Sequence, residues 1–164
     1  MIFNHIRLVK AIMNYTEAME EDGAIIALDQ KKAYDRIKLE YLWKNLKAFN
    51  LPKCFIKTVK ALYQNAKTKI AINGFLSNPY KIKHSICQGD PLFCLLFNLG
   101  IKPLACIIQN EPNLQGFQIP NVEEPIKINL HFADNTNLFL SREDRFNIMQ
   151  SILTDWCKVS GAKF

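Results

Sequence analysis

Two carboxylates stand where a folding chain seldom leaves one without compensation. AIIALD, from Ala24 to Asp29, is a short apolar run that ends in Asp29. HFADNTNLFL, from His131 to Leu140, sets Asp134 between two apolar segments and follows it at once with Asn135. A carboxylate at the end of a buried strand is costly unless water, a donor or a cation compensates it. Two such groups brought together repel each other, and a divalent cation relieves the repulsion. Mg²⁺ prefers oxygen ligands, keeps several waters, and typically binds through one or two carboxylates plus substrate phosphates. The chemistry implied is a two-metal phosphate site, with ions roughly 3.5–4 Å apart. The local alternative is that Asp29 caps the following helix and Asp134 makes an Asx-type turn.

The elements around these residues follow from hydrophobic period and punctuation. Ile2, Phe3, Ile6, Val9, Ile12, Met13 and Ala18 recur at helical spacing, and the run from Glu20 to Gly23 ends that helix. AIIALD predicts a strand buried on both faces. KKAYDRIKLEYLWKNLKAF predicts a helix through Ile37, Leu42, Leu46 and Phe49, broken by Asn50 and Pro52. A further helix after Pro52 places Phe55, Ile56, Val59, Leu62 and Tyr63 inward. Asn73-Gly74 between alternating segments is a hairpin signal. In HSICQGDP, Asp90 and Pro91 suit a helix start, and Pro103 should kink or split that helix. Residues 110–125 read as a loop. IKINLHFADNTNLFLS predicts two strands around a tight turn at Asp134-Asn135. Ser141 then suits the cap of a last amphipathic helix carrying Phe146, Met149, Ile152, Leu153 and Trp156. Helices partly segregated from an antiparallel sheet give an α+β class.

Composition narrows the function classes. The chain has 164 residues, 49% of them hydrophobic and 22% charged, which suits one globular domain with a real core. Net charge is +6, unevenly spread: 15 basic and 7 acidic side chains lie up to Lys83, against 6 and 8 from His84 onward. The basic half suits a polyanion such as nucleic acid, or simply presents solvated lysine-rich helices. Five cysteines without a CxxC pair and three scattered histidines argue against a zinc site or disulfide framework. They point to a reducing intracellular compartment, nucleus and cytoplasm being undistinguished, with each cysteine a small core residue. Arg7 and Lys10 argue against a signal peptide. Asn98, Lys102 and Pro103 interrupt the most apolar window, so it reads as a buried helix and not a membrane span.

The ordered motifs carry a resemblance. AIIALDQKKAYDRI resembles motif A of the reverse transcriptases of non-LTR (LINE-type) retroelements, and CQGDPLFCLLFNLGIKPLA resembles their motif B. FADNTNLFL resembles motif C, and WCKVSGAKF the segment leading into motif D. The resemblance spans nearly the whole chain. It implies a palm-type antiparallel sheet packed on helices, with a partial fingers region, over residues 1–164. It implies template-directed DNA synthesis on RNA from a DNA primer and deoxynucleoside triphosphates, with two Mg²⁺ ions, Mn²⁺ being a possible substitute. By the same resemblance Asp29 and Asp134 match the metal-binding aspartates, and the main-chain carbonyl of Gln30 a further ligand. Tyr34 matches an aromatic residue beneath the incoming sugar, its rival reading being a core aromatic. Gln88 and Gly89 match the turn that approaches nucleotide and template, where glycine permits close backbone approach.

Several positions depart from the family pattern. Asn135 stands where motif C usually has a second aspartate, which removes a full charge. Cys87 stands for an arginine, Phe93 for a serine and Lys102 for a glutamate. Earlier fingers motifs, the rest of motif D and the thumb lie outside these 164 residues. The expectation is therefore a reverse transcriptase domain by descent, impaired or inactive in this form. The alternative is a non-enzymatic remnant whose basic half still holds nucleic acid.

Overall fold

The alternation of TNLFLS, residues 136–141, decides where the inside of the molecule lies. The computed structural model describes residues 2–64, 66–81, 92–120, 122–130 and 135–164. Its elements are α1 (Ile2–Met19), β1 (Gly23–Asp29), α2 (Ala33–Arg36), α3 (Leu39–Ala48) and α4 (Lys53–Gln64). There follow β2 (Lys67–Thr68), β3 (Ala71–Ile72), β4 (Phe75–Leu76), β5 (Tyr80–Lys81), α5 (Phe93–Gln109), β6 (Ile128–Leu130), β7 (Asn135–Ser141) and α6 (Phe146–Ser160). The class is α+β, as the order of patterns indicates.

β7 is the middle strand of a three-stranded antiparallel sheet of order β1-β7-β6. Alternation sends Leu138 and Leu140 to one face and Phe139 to the other. Leu138 and Leu140 join the main core with Leu42 and Leu46 of α3, Phe97 and Leu104 of α5, and Met149 and Trp156 of α6. Phe139 joins a smaller cluster with Ile12 of α1 and Phe117. The doubly buried strand is thus β7 and not β1. In β1, Ile25, Ile26 and Leu28 are half-buried and Ala24 and Ala27 exposed, because among the described residues its only strand neighbour is β7.

The helix expected through residues 31–49 is interrupted. Ile37 (φ −60°, ψ 121°) and Lys38 (φ −67°, ψ 128°) are extended, which separates α2 from α3. The end of α6 docks at that break. The Lys38 N–H donates to the Ser160 carbonyl at 2.8 Å, and Lys38 Nζ to the Lys158 carbonyl at 2.8 Å. Gly161 then turns with φ +83°, and a Cβ there would meet the Arg36 carbonyl oxygen at 2.7 Å. A contact over a hundred positions away overrides local helical spacing.

Three helices share one buried hydrogen-bond chain. Trp156 Nε1 donates to the Tyr41 hydroxyl at 2.8 Å, and that hydroxyl donates to the Gly100 carbonyl at 3.0 Å. Burial pushes the Tyr41 phenol up, against the opposing hydrogen bonds of Asn45 and Trp156. Pro103 does not split the helix, since α5 runs unbroken from Phe93 to Gln109. Proline deprives the carbonyl four residues earlier of its donor, and close by, α3 supplies side-chain donors to Gly100.

Other local expectations divide. Asn73 (φ 49°) and Gly74 (φ 83°) form the two-residue turn between β3 and β4, the conformation that Asn-Gly favours. Ser141 does not cap α6; it ends β7, and Asp144 closes the connection instead. The Asp144 carboxylate accepts the N–H groups of Gly116 at 2.9 Å and Ser141 at 2.8 Å, and also that of Gln115. Leu62 (57% exposed) and Phe146 (51% exposed) face solvent, contrary to their helical spacing. Cys54, Cys94 and Cys106 are exposed free thiols and not core residues, whereas Cys157 is half-buried against the main core. Cys87 lies outside the described residues, as do Asp90 and Pro91. No helix among the described residues is long and apolar enough to cross a membrane.

Leu138→Ala should cost about 2–5 kcal/mol in urea unfolding. Leu62→Ala should stay within about 0.5 kcal/mol, although its helical spacing places Leu62 inward. Asp144 supplies an acid-limb test. Burial pushes its carboxyl up, but the three backbone donors outweigh burial and hold it below the ordinary carboxylate range. Its contribution is therefore complete above the unfolded value, about 3.9, and is lost as pH falls through the folded one. The stability gap between wild type and Asp144→Asn should be widest near neutral pH and close on acidification.

Candidate functional site

The register of β1 against β7 sets the geometry. Gly23 pairs with Ser141 at one end and Asp29 with Asn135 at the other, antiparallel throughout. Residues directly opposed in such a ladder hold their Cβ atoms roughly 4.5–5.5 Å apart. Asp29 is exposed at the end of its strand. Asp134 lies outside the described residues, one peptide bond before its cross-strand neighbour. The position of Asn135 differs from expectation: it is the first residue of β7 and not part of a two-residue turn, with β6 ending at Leu130.

Past Asp29 the chain leaves the sheet and is pinned from behind. Lys31 N–H donates to the Lys163 carbonyl at 2.8 Å. Lys32 takes left-handed angles, φ 51° and ψ 51°. For a lysine that conformation costs on the order of 1–3 kcal/mol and persists only where surroundings enforce it. Asp35 N–H donates to the Lys32 carbonyl at 2.9 Å, which closes the turn into α2. The side chains of Lys31 and Lys32 are exposed.

Gln30 is 2% exposed, and among the described residues neither Oε1 nor Nε2 has a hydrogen-bond partner. A buried amide left so is unusual. Tyr34 is half-buried in α2, its ring centroid 4.6 Å from that of Phe97 at an interplanar angle of 54°. One part of the ring therefore packs on the core, as the rival reading of Tyr34 requires, while another part remains accessible. Gln88 and Gly89 lie outside the described residues, so their placement beside Asp29 stays an expectation. Among the described residues no three His, Cys, Asp or Glu side chains cluster as a metal site.

The sequence pattern missed the backing of this loop. The carbonyls of Ser160 and Lys163 hold Lys38 and Lys31, and the visible signal was Gly161 just after the helical run. It also missed Asp144, whose only mark is its spacing of three from Ser141.

A family model described as reverse transcriptase (RNA-dependent DNA polymerase) matches residues 2–164. The chain is 30% identical over 108 residues to the Transposon TX1 uncharacterized 149 kDa protein of Xenopus laevis, covering 66% of this chain and 8% of that protein. It is 25% identical over 156 residues to the Retrovirus-related Pol polyprotein from type-2 retrotransposable element R2DM of Drosophila melanogaster, covering 95% of this chain and 14% of that protein. Over 87 residues it is 26% identical to the Retrovirus-related Pol polyprotein from type-1 retrotransposable element R2 of Popillia japonica, covering 53% and 14% respectively. The chain thus spans only 8–14% of the length of these curated relatives.

Gln30→Met keeps volume and removes the buried amide, which has no partner among the described residues. It should raise the free energy of unfolding by about 1–2 kcal/mol, read as a higher urea midpoint with unchanged slope. A lower midpoint would mean that the amide is satisfied in solution.

Proposed function

The chain belongs to the reverse transcriptase family, and from that premise we propose that the Asp29 end of the β1–β7 pair is the nucleotidyl-transfer site of a LINE-type enzyme. On this reading residues 1–164 form part of a reverse transcriptase domain, its palm with a piece of the fingers, acting on an RNA template and a DNA primer. The single observation that carries it is the pairing of Asp29 with Asn135, which sets the first aspartate across from the immediate neighbour of the second.

The donor set fits a hard divalent cation. Asp29 offers an exposed carboxylate at a strand end, Asp134 supplies the second carboxylate, and the Gln30 main-chain carbonyl a third oxygen. Mg²⁺ needs no larger protein cluster, since waters and substrate phosphates complete its shell. When bound, such ions acidify the primer hydroxyl and neutralise charge on the triphosphate. The primer 3′-oxygen forms a bond to the α-phosphorus and loses its proton, while the bond from that phosphorus to the bridging oxygen breaks and pyrophosphate leaves. The chain's own work is positioning. The Tyr34 ring, fixed on one side by Phe97, lies beneath the sugar and disfavours a 2′-hydroxyl. Gln88 and Gly89 bring backbone close to the nucleotide and template. Asn135 supplies an amide where a carboxylate would strengthen the field, so turnover is weak.

Primer extension on an RNA template with Mg²⁺ or Mn²⁺ tests the assignment. Asp29→Asn should lower extension by about 10²–10³-fold, the usual loss when one electrostatic interaction is removed. Extension that survives this change overturns the site. Asn135→Asp should raise extension about tenfold, equivalent to roughly 1.4 kcal/mol of barrier. If no variant extends a primer yet the chain still binds nucleic acid, the non-enzymatic remnant is the better reading; it is favoured by the same neutral residue at position 135.

A further inference from the structure

From Tyr41 to Gly89 the sequence holds nine lysines and no aspartate or glutamate, its longest acid-free stretch. The fold gathers four of these lysines. At the corner where α3 turns into α4, an open hollow of about 530 Å³ is lined by Lys47, Lys53, Lys57 and Lys60. Its remaining lining is Asn50, Leu51 and Ile56, and among the described residues no acidic side chain contributes. The corner itself is rigidly made. Asn50 takes φ 53°, and the N–H groups of Asn50 and Leu51 close back onto Lys47 and Leu46 at 2.9 and 3.1 Å.

Lys53, Lys57 and Lys60 follow at intervals of four and three, so they share one side of α4, and like charges at this spacing repel. The ion pairs among the described residues, Arg142 with Asp22 and Lys158 with Asp155, relieve none of them. Lys60 Nζ lies 5.7 Å from the Trp43 ring centroid, which steadies that cation but leaves its charge in place. The repulsion falls when phosphates displace the counterions that such a cluster holds.

The geometry points to this α3–α4 hollow as a second nucleic-acid site, which grips a phosphate backbone without reading bases. Lysine is a compact point charge that lacks the planar fork of arginine, so it fixes position and not sequence. The hollow is open and concave, which suits the ridge of a nucleic-acid backbone, whereas a bilayer surface asks for an apolar face to insert. The choice of nucleic acid among polyanions rests on the family reading; the hollow itself does not depend on Asp29, Asp134 or any metal.

The test measures binding of the full chain to a labelled RNA–DNA hybrid by fluorescence anisotropy across a salt series. Lys47→Gln, Lys53→Gln and Lys57→Gln combined should weaken binding at least tenfold. The triple change should also flatten the dependence of log affinity on log salt by about two to three units, near 0.9 for each phosphate no longer neutralised. Arginine at the same three positions should retain both, and melting followed by circular dichroism should match wild type in each variant. Unchanged affinity and slope in the glutamine variant overturn the proposal. So does hybrid release by inorganic phosphate at equal phosphate concentration, or loss of binding to phosphatidylserine vesicles with hybrid binding intact. If primer extension fails throughout while these lysine effects appear, the catalytic reading falls and this one stands.

Discussion

The antiparallel ladder between β1 and β7 is the constraint on which the other arrangements rest. Its register, from Gly23↔Ser141 to Asp29↔Asn135, fixes two things at once. It sends Leu138 and Leu140 toward α3, α5 and α6 while Phe139 meets α1. It also decides which residues of β7 stand beside Asp29. A slip by one position would turn Phe139 into the main core and both leucines out of it. Packing on two faces therefore guards the alignment of the polar end, and the candidate site inherits its accuracy from the hydrophobic core.

Much of this was legible in the sequence, for identifiable reasons. Asn73-Gly74 demanded positive φ at both positions, and the turn formed accordingly. The strand ending in Asp29 was marked by a short apolar run after a glycine. Failures came where a distant contact outweighs a local pattern. Residues 31–49 keep helical spacing throughout, yet the Ser160 carbonyl captures the Lys38 N–H and parts α2 from α3. β1 and β7 are both apolar runs, and periodicity cannot say which sits at a sheet edge. The cysteines followed apolar neighbours in sequence, but three of them lie on outward helix positions.

The candidate site was legible in a different way. Asp29 and Asn135 stand out from motif order, and the β1–β7 register pairs the two positions. The left-handed turn at Lys32, the buried amide of Gln30 and the bond from Lys31 to Lys163 left no mark in local spacing. Each arises where the chain departs from a regular element, which is where single-sequence periodicity carries least information and where strain is usually stored.

The chain's two tryptophans sit in unlike surroundings. Trp156 is 4% exposed and hydrogen-bonded to Tyr41 in the interior. Trp43 is half-buried, with the Lys60 ammonium near its ring and Tyr63 edge-on at 5.9 Å. Indole emission follows polarity and nearby charge, so the molecule carries two native optical reporters. The inner one registers whether three helices are assembled, and the outer one the electrical state of the lysine corner.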